Sequence, residues 1–121
     1  MRTALVVDDS AVGRMIIGRL VRRAGWDVVE AESGRAALAI LERDPPDVVF
    51  LDLLMPGMTG LDVLEEVQRR GIPVPVIVVT AEIQEHNRVA CERLGVYAYL
   101  NKPVGQESIS DILAQIHGVF S

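Results

Sequence analysis

Short apolar runs alternate along the chain with longer stretches in which apolar residues recur at helical spacing. Each run is four residues long and mostly apolar, which is typical of strands that are covered on both faces of a sheet. The pattern predicts five central, parallel strands, at Ala4–Val7, Val28–Ala31, Val48–Leu51, Val76–Val79 and Tyr97–Leu100.

The stretches between the strands predict five helices, each with one buried apolar face. Four of these faces comprise Val12, Met15, Ile16 and Leu20; Ala37, Ile40 and Leu41; Leu61, Leu64 and Val67; and Ile109, Ile112, Leu113 and Ile116. The stretch Glu82–Leu94 is the most polar and predicts the most exposed helix, with Ile83, Ala90, Cys91 and Leu94 on its inner face.

Residues that begin and end helices agree with this division. Serine and threonine favour the N-cap, and glycine favours the left-handed conformation that follows many helices. The predicted N-caps are Ser10, Ser33 and Thr59, and the predicted left-handed residues are Gly25, Gly71 and Gly95.

Strands joined by helical crossovers form right-handed βαβ units, so the alternation predicts an α/β fold. We expect a (βα)5 three-layer sandwich, with helices on both faces of a parallel five-stranded sheet. Ligands in such folds bind at the carboxyl ends of the strands, near the point where the strand order reverses.

Composition narrows the class of protein. A chain of 121 residues predicts a single domain, residues 1–121, and its 50% hydrophobic content excludes disorder. The net charge of −5 argues against direct binding to nucleic acid. Cys91 is the only cysteine, which favours a reducing compartment, and the first apolar run is too short for a signal peptide or membrane span. We therefore expect a cytoplasmic protein without membrane insertion, and we expect His86, His117 and Trp26 to be surface or loop residues.

Polar residues follow four of the predicted strands at their carboxyl ends. Asp8 and Asp9 follow the first strand, Asp52 the third, Thr80 the fourth and Lys102 the fifth. Each alone has an ordinary structural explanation, such as a helix cap or a solvated loop. Together they predict a site at one edge of the sheet, because a hydrophobic core does not require three carboxylates, a hydroxyl and an ammonium there.

Three neighbouring carboxylates repel one another unless a cation neutralises them. Oxygen ligands suit Mg2+, with Mn2+ as the alternative, whereas zinc lacks its preferred ligands here. A carboxylate can also attack phosphorus when the phosphoryl charge is neutralised, here by Mg2+ and Lys102. The Thr80 hydroxyl and the Ala81 amide could then bind phosphoryl oxygens.

The set Asp8-Asp9, Asp52, Met55-Pro56-Gly57-Met58-Thr59-Gly60, Thr80-Ala81 and Lys102-Pro103 resembles a response-regulator receiver domain along the whole chain. The resemblance implies the sheet order 2-1-3-4-5, which is that of CheY, a member of this family. It also implies that Asp52 is the phosphoacceptor and that Lys102, Thr80 and Ala81 contact the phosphoryl group. The implied Mg2+ ligands are Asp9, Asp52 and the Leu54 backbone carbonyl, with Asp8 acting through water.

The resemblance further implies a switch formed by Thr80 and Tyr99, and a cis peptide at Lys102–Pro103. Val104 departs from the family, which often has phenylalanine after the Lys-Pro pair, and this change should alter packing rather than chemistry.

The function implied is a phosphorylation-dependent switch of a two-component system, without enzymatic activity beyond its own phosphotransfer and autodephosphorylation. The expected partners are a sensor histidine kinase or phosphotransfer protein, a target protein bound at the surface of helix 4, strand 5 and helix 5, and a phosphatase as a further candidate. Alternatives are a phosphorelay intermediate, a receiver module of a larger regulator and a constitutive docking module. A phosphohydrolase of the haloacid dehalogenase type is disfavoured, because it needs a second aspartate where this chain has Leu54.

Overall fold

The structure is a computed structural model that describes residues 2–120, and the side chains of residues 2–118. Strands and helices alternate along it without exception, as the periodicity predicts. The elements are β1 (Thr3–Val7), α1 (Ala11–Arg23), β2 (Asp27–Ala31), α2 (Gly34–Arg43), β3 (Val48–Leu51), α3 (Gly60–Arg70), β4 (Val76–Thr80), α4 (Glu85–Arg93), β5 (Ala98–Asn101) and α5 (Gln106–Phe120).

The five strands form one parallel sheet in the order β2-β1-β3-β4-β5. Both the fold class and the implied strand order are therefore confirmed. The order reverses between β1 and β3, where Val7 pairs with Ala31 on one side and with Leu51 on the other. This places the ends of β1 and β3 next to each other.

The prediction of five central strands is wrong for β2 and β5. They are the edge strands of the sheet, and their residues are mostly half-buried or exposed, whereas β3 and β4 are buried throughout. An apolar run shows that a strand has covered faces but does not reveal which strand lacks a neighbour, so the edge position was not predictable from the run.

Two layers of core cover the sheet. One layer packs α2, α3 and Cys91 of α4 against the sheet, and the other packs α1 and α5 against the opposite face. Phe50 is among the largest fully buried side chains. Burial of a side chain of this size contributes about 1.5–3 kcal/mol. Trp26 lies in the loop between α1 and β2, which agrees with one of its two predicted positions. It is only 5% exposed and belongs to the second layer, so the surface alternative is wrong.

The buried face of α1 differs from the predicted one. Val12, Met15 and Ile16 are at least half exposed, and the helix instead buries Ile17, Gly18 and Val21. Apolar residues occur nearly all round this helix, so periodicity alone did not define the face that contacts the sheet. Ile83 is likewise exposed rather than inward-facing, because α4 begins only at Glu85.

The predicted helix starts are confirmed by hydrogen bonds. Ser10 accepts from the Gly13 amide, Ser33 accepts from the Ala36 amide, and Thr59 forms a reciprocal capping box with Asp62. Gly25, Gly71 and Gly95 all have positive φ, which is the conformation predicted for them. Among the described residues, none of the helices is both long enough and apolar enough to cross a membrane.

Candidate functional site

The register of the sheet places two aspartates side by side at its carboxyl edge. Val7 pairs with Leu51, so the next residues, Asp8 and Asp52, leave neighbouring strands together. The Asp52 amide donates to the Val7 carbonyl at 3.0 Å. Asp8 is 3% exposed and Asp52 7% exposed, and such buried charges need partners because desolvation is costly.

Lys102 supplies the positive charge for both carboxylates. Its Nζ lies 3.0 Å from Asp8 Oδ2 and 3.0 Å from Asp52 Oδ2. Burial alone would lower the pKa of Lys102, but the hydrogen bonds with Asp52 and Asp8 outweigh it and raise the pKa. Lys102 therefore remains an ammonium and connects the carboxylates that follow β1 and β3. It is also the only lysine in the sequence.

Asp9 completes a cluster of three carboxylates. One oxygen each of Asp8, Asp9 and Asp52 lies within 4.8 Å of the other two, and we call these three residues the acidic cluster. Asp9 is exposed, so water can reach the cluster from its side. Hard carboxylate oxygens next to solvent fit Mg2+, which prefers oxygen ligands and keeps several waters.

The second carboxylate oxygen of each buried aspartate also accepts a hydrogen bond. Asp52 Oδ1 accepts from the Leu54 amide at 3.1 Å, and Asp8 Oδ1 accepts from the Ser10 amide at 2.9 Å. The Arg14 guanidinium donates to the Asp8 backbone carbonyl at 2.7 Å. These bonds fix the direction of both carboxylates, so the site is held by the backbone as well as by Lys102.

The loop after β3 packs tightly under Asp52. A Cβ at Gly60 would lie 2.7 Å from the Leu53 Cα and closer still to the Asp52 carbonyl oxygen. The Gly60 amide donates to the Leu53 carbonyl at 3.1 Å. Only glycine lets the start of α3 approach the backbone after β3 this closely.

Thr80 and Tyr99 both contact the loop between β4 and α4. Thr80 is fully buried, and its hydroxyl accepts from the Glu82 amide at 3.1 Å. The Tyr99 hydroxyl and the Asn101 amide both donate to the Glu82 carbonyl, at 3.1 and 2.9 Å. Burial raises the pKa of Tyr99, so its hydroxyl stays protonated as a donor. Two side chains of β5 therefore hydrogen-bond the same backbone carbonyl, that of Glu82, in the loop between β4 and α4.

The structure thus brings together Asp8, Asp9, Asp52 and Lys102, as the strand ends predict. Thr80 ends β4, and Ala81 follows it as an exposed residue at the same edge of the sheet. The Leu54 side chain is exposed, and its amide faces the Asp52 carboxylate. The Lys102–Pro103 peptide bond is cis.

Three residues of the site went unnoticed in the sequence: Gly13, Arg14 and Asn101. Gly60 belonged to the motif Met55–Gly60 but was given no role of its own. The two glycines carried a signal, because glycine inside a helix is unfavourable unless close packing requires it. Arg14 and Asn101 carried none, since their partners are backbone carbonyls that no sequence pattern identifies.

This fold is that of a receiver domain. The response regulator receiver domain family matches residues 4–114, and the chain belongs to that family. Receiver domains are signalling modules of two-component systems, and they bind Mg2+ at an acidic pocket. This chain has an acidic cluster, formed by Asp8, Asp9 and Asp52.

Relatives of known sequence or structure agree with the family. The chain is 33% identical over 111 residues to Protein PilH of Pseudomonas aeruginosa, covering 90% of this chain and 92% of PilH. It is 44% identical over 108 residues to a protein-glutamate methylesterase/protein-glutamine glutaminase of Treponema pallidum, which covers 86% of this chain but only 27% of that relative. The crystal structure of the chemotaxis protein CheY4 of Vibrio cholerae is 29% identical, with a TM-score of 0.86 and coverage of 96% and 98% of the two chains.

Proposed function

We propose that this receiver domain, spanning residues 1–121, accepts a phosphoryl group on Asp52 from a sensor histidine kinase or a histidine phosphotransfer protein. The observation that carries the proposal is the arrangement around Asp52. Its carboxylate is buried, ionically bonded to Lys102, and grouped with two further carboxylates at a solvent-facing edge. Such a carboxylate is a nucleophile toward phosphorus when nearby cations neutralise the phosphoryl charge.

In the transfer, an Asp52 oxygen bonds to phosphorus while the bond from phosphorus to the donor's imidazole nitrogen breaks. The imidazole keeps the electron pair and takes up a proton. In autodephosphorylation, which ends the signal, water attacks phosphorus, the bond from phosphorus to Asp52 breaks, and inorganic phosphate leaves. Lys102 can serve both steps, because its ammonium already lies 3.0 Å from an Asp52 oxygen.

Asp9 and Asp52 would hold Mg2+, with Mn2+ as an alternative, together with the Leu54 backbone carbonyl, and Asp8 would act through water. Bound Mg2+ supplies positive charge that neutralises the phosphoryl oxygens. Lys102 supplies the second positive charge from the side of β5. The Thr80 hydroxyl and the Ala81 amide would donate to the phosphoryl oxygens that remain.

The signal would leave through the surface of α4, β5 and α5 toward a target protein. At present the Thr80 hydroxyl accepts from Glu82, while Tyr99 and Asn101 bind the Glu82 carbonyl. Reorientation of Thr80 toward a phosphoryl group would release the Glu82 amide. Because the Tyr99 hydroxyl is hydrogen-bonded to the Glu82 carbonyl, the loop between β4 and α4 and the Tyr99 side chain would shift together. This shift would change the surface of α4, β5 and α5.

The phosphodonor would dock on the exposed apolar face of α1. Val12, Met15 and Ile16 are 60%, 50% and 50% exposed, a concentration of apolar side chains that commonly marks an interaction site. A groove of about 380 Å³ runs from Ile16 to Lys102 and Pro103 and so connects this face to the acceptor. We expect Met15→Glu to slow transfer from a histidine kinase that labels the wild type and to leave labelling by acetyl phosphate unchanged.

Phosphorylation with acetyl phosphate and Mg2+ tests the central proposal. Intact-protein mass spectrometry should show one added phosphate on the wild type and none on Asp52→Asn. Asp44→Asn is the matched control, because Asp44 is exposed and ends α2 at the opposite edge of the sheet. Labelling that persists in Asp52→Asn would refute the assignment of the acceptor.

The same labelling assay separates the alternatives. A constitutive docking module would neither bind Mg2+ nor take up phosphate. A phosphorelay intermediate would return its phosphoryl group to a histidine phosphotransfer protein, whereas a terminal switch would release it mainly as inorganic phosphate. A cytoplasmic location, a target protein and a phosphatase stay predictions.

A further inference from the structure

Gly13 occupies a position in α1 where glycine is otherwise unfavourable. It lies in the first turn of the helix, and its amide donates to the N-cap Ser10. Alanine is the better helix former at such a position, because glycine loses more backbone entropy on folding. A packing requirement therefore has to explain the glycine.

The requirement is space for the Asp8 carboxylate. A Cβ at Gly13 would lie 2.9 Å from Asp8 Cγ and closer still to Asp8 Oδ2, the oxygen that binds Lys102. Gly18 in the same helix differs, because a Cβ there would meet its nearest neighbour, Arg22, at 3.5 Å. The two glycines of α1 thus provide a matched pair: Gly13 has no room for a methyl group, whereas Gly18 can accept one.

Asp8 has little freedom to yield. It is 3% exposed, its Oδ1 accepts from the Ser10 amide, and its Oδ2 binds Lys102. A methyl group at position 13 would press on the carboxylate from α1 and move Oδ2 away from that helix. Asp9 and Asp52 each have a carboxylate oxygen within 4.8 Å of one from Asp8, so the displaced carboxylate has charged neighbours.

We propose that Gly13 is a positioning residue that keeps Asp8 bonded to Lys102 in the ion-free domain and thereby weakens Mg2+ binding. The inference rests on the proposed function, in which the acidic cluster holds Mg2+. The bond between Asp8 and Lys102 stabilises the ion-free state, and a cation at the cluster competes with Lys102 for the same negative charge. Gly13 thus sets how strongly the lysine opposes the ion.

Calorimetric titration with Mg2+ near neutral pH tests this effect on Gly13→Ala and Gly18→Ala. Gly13→Ala should bind Mg2+ roughly tenfold more tightly than the wild type, because its ion-free state loses one charge-assisted hydrogen bond. Gly18→Ala should match the wild type within about twofold. Equal or weaker binding by Gly13→Ala would overturn the inference.

Urea unfolding without Mg2+ tests the steric part independently. Gly13→Ala should unfold at lower urea than Gly18→Ala, and adding Asp8→Ala should remove that difference, since the methyl group would then meet no carboxylate. If Gly13→Ala does not fold alone, recovery of folding in the double variant supports the steric conflict, and no recovery contradicts it.

The two measurements also separate this inference from the proposed function. Absence of Mg2+ binding by the wild type would refute the metal site and, with it, the effect of Gly13 on affinity. The urea comparison would still decide whether Gly13 makes room for Asp8.

Discussion

Replacement of Lys102 by methionine should expose the repulsion between the two buried aspartates. Lys102 Nζ lies 3.0 Å from an oxygen of each carboxylate, and these carboxylates have oxygens no more than 4.8 Å apart. At an effective dielectric constant of about 20, two unit charges at that separation repel by on the order of 3 kcal/mol. Breaking one side of a buried ion pair costs a similar amount, about 3–5 kcal/mol. We therefore expect Lys102→Met to lower the free energy of unfolding by about 3 kcal/mol.

Urea denaturation in the presence of EDTA, followed by Trp26 fluorescence, measures this loss. Trp26 is the only tryptophan and is 5% exposed, so its emission should report global unfolding. Arg19→Met is the matched control, because Arg19 lies exposed on α1. Replacing Asp8 by asparagine in the Lys102→Met background should restore most of the stability by removing one of the repelling charges.

Added Mg2+ should recover part of the lost stability, and more in Lys102→Met than in the wild type, since the ion no longer competes with the lysine. Equal stability of Lys102→Met and Arg19→Met, or no recovery on adding Asp8→Asn, would refute this role of Lys102. Either result would mean that Asp8 and Asp52 do not repel each other as like charges in the folded domain.

Three further predictions follow from the packing. Gly60→Ala should lower the free energy of unfolding by about 1–3 kcal/mol, because its methyl group would meet backbone atoms. Gly105→Ala is the control, because a methyl group there would lie in open space and should cost no stability. Equal urea midpoints for the two variants would contradict the steric explanation. Burial raises the pKa of Cys91 from 9.0 to about 11, so its contribution to stability is present below pH 9.0 and lost toward about pH 11. That loss should be absent in Cys91→Ala, as pH-dependent unfolding can check. Tyr99→Phe should lower the free energy of unfolding in urea by about 1 kcal/mol or less, because the Asn101 side chain still donates to the Glu82 carbonyl. A larger loss would argue that the two donors do not share this carbonyl.

The strand pattern predicted the location of the site because parallel strands share one carboxyl edge. Asp8 and Asp52 follow strands that pair directly, and Lys102 follows β5 at the same edge. The resemblance added the strand order, and the structure confirmed it. Residue type and position relative to a strand end were therefore enough to group the acidic cluster with the lysine.

The hydrophobic pattern did not predict correctly which side chains are buried where apolar residues occur on several sides of an element. Val12 and Met15 looked like core residues of α1 but are exposed. Trp26, expected at the surface or in a loop, lies in a loop but is buried. Periodicity reports the spacing of apolar positions, while the contacting face depends on neighbours far away in sequence. For α1 those neighbours include α5, which packs on the same side of the sheet.

The order of strands and helices, the helix caps and the residue types at the strand ends could be predicted from the sequence, because they depend on residues near one another in the chain. The bonds from Lys102 to Asp8 and Asp52 could not, because they join residues 94 and 50 positions apart that folding brings together. Only the tertiary structure revealed why Gly13 and Gly60 are glycines, since the missing Cβ atoms leave room for groups that folding brings against them. Distances between remote residues arise from packing, and no local pattern in the sequence encodes them.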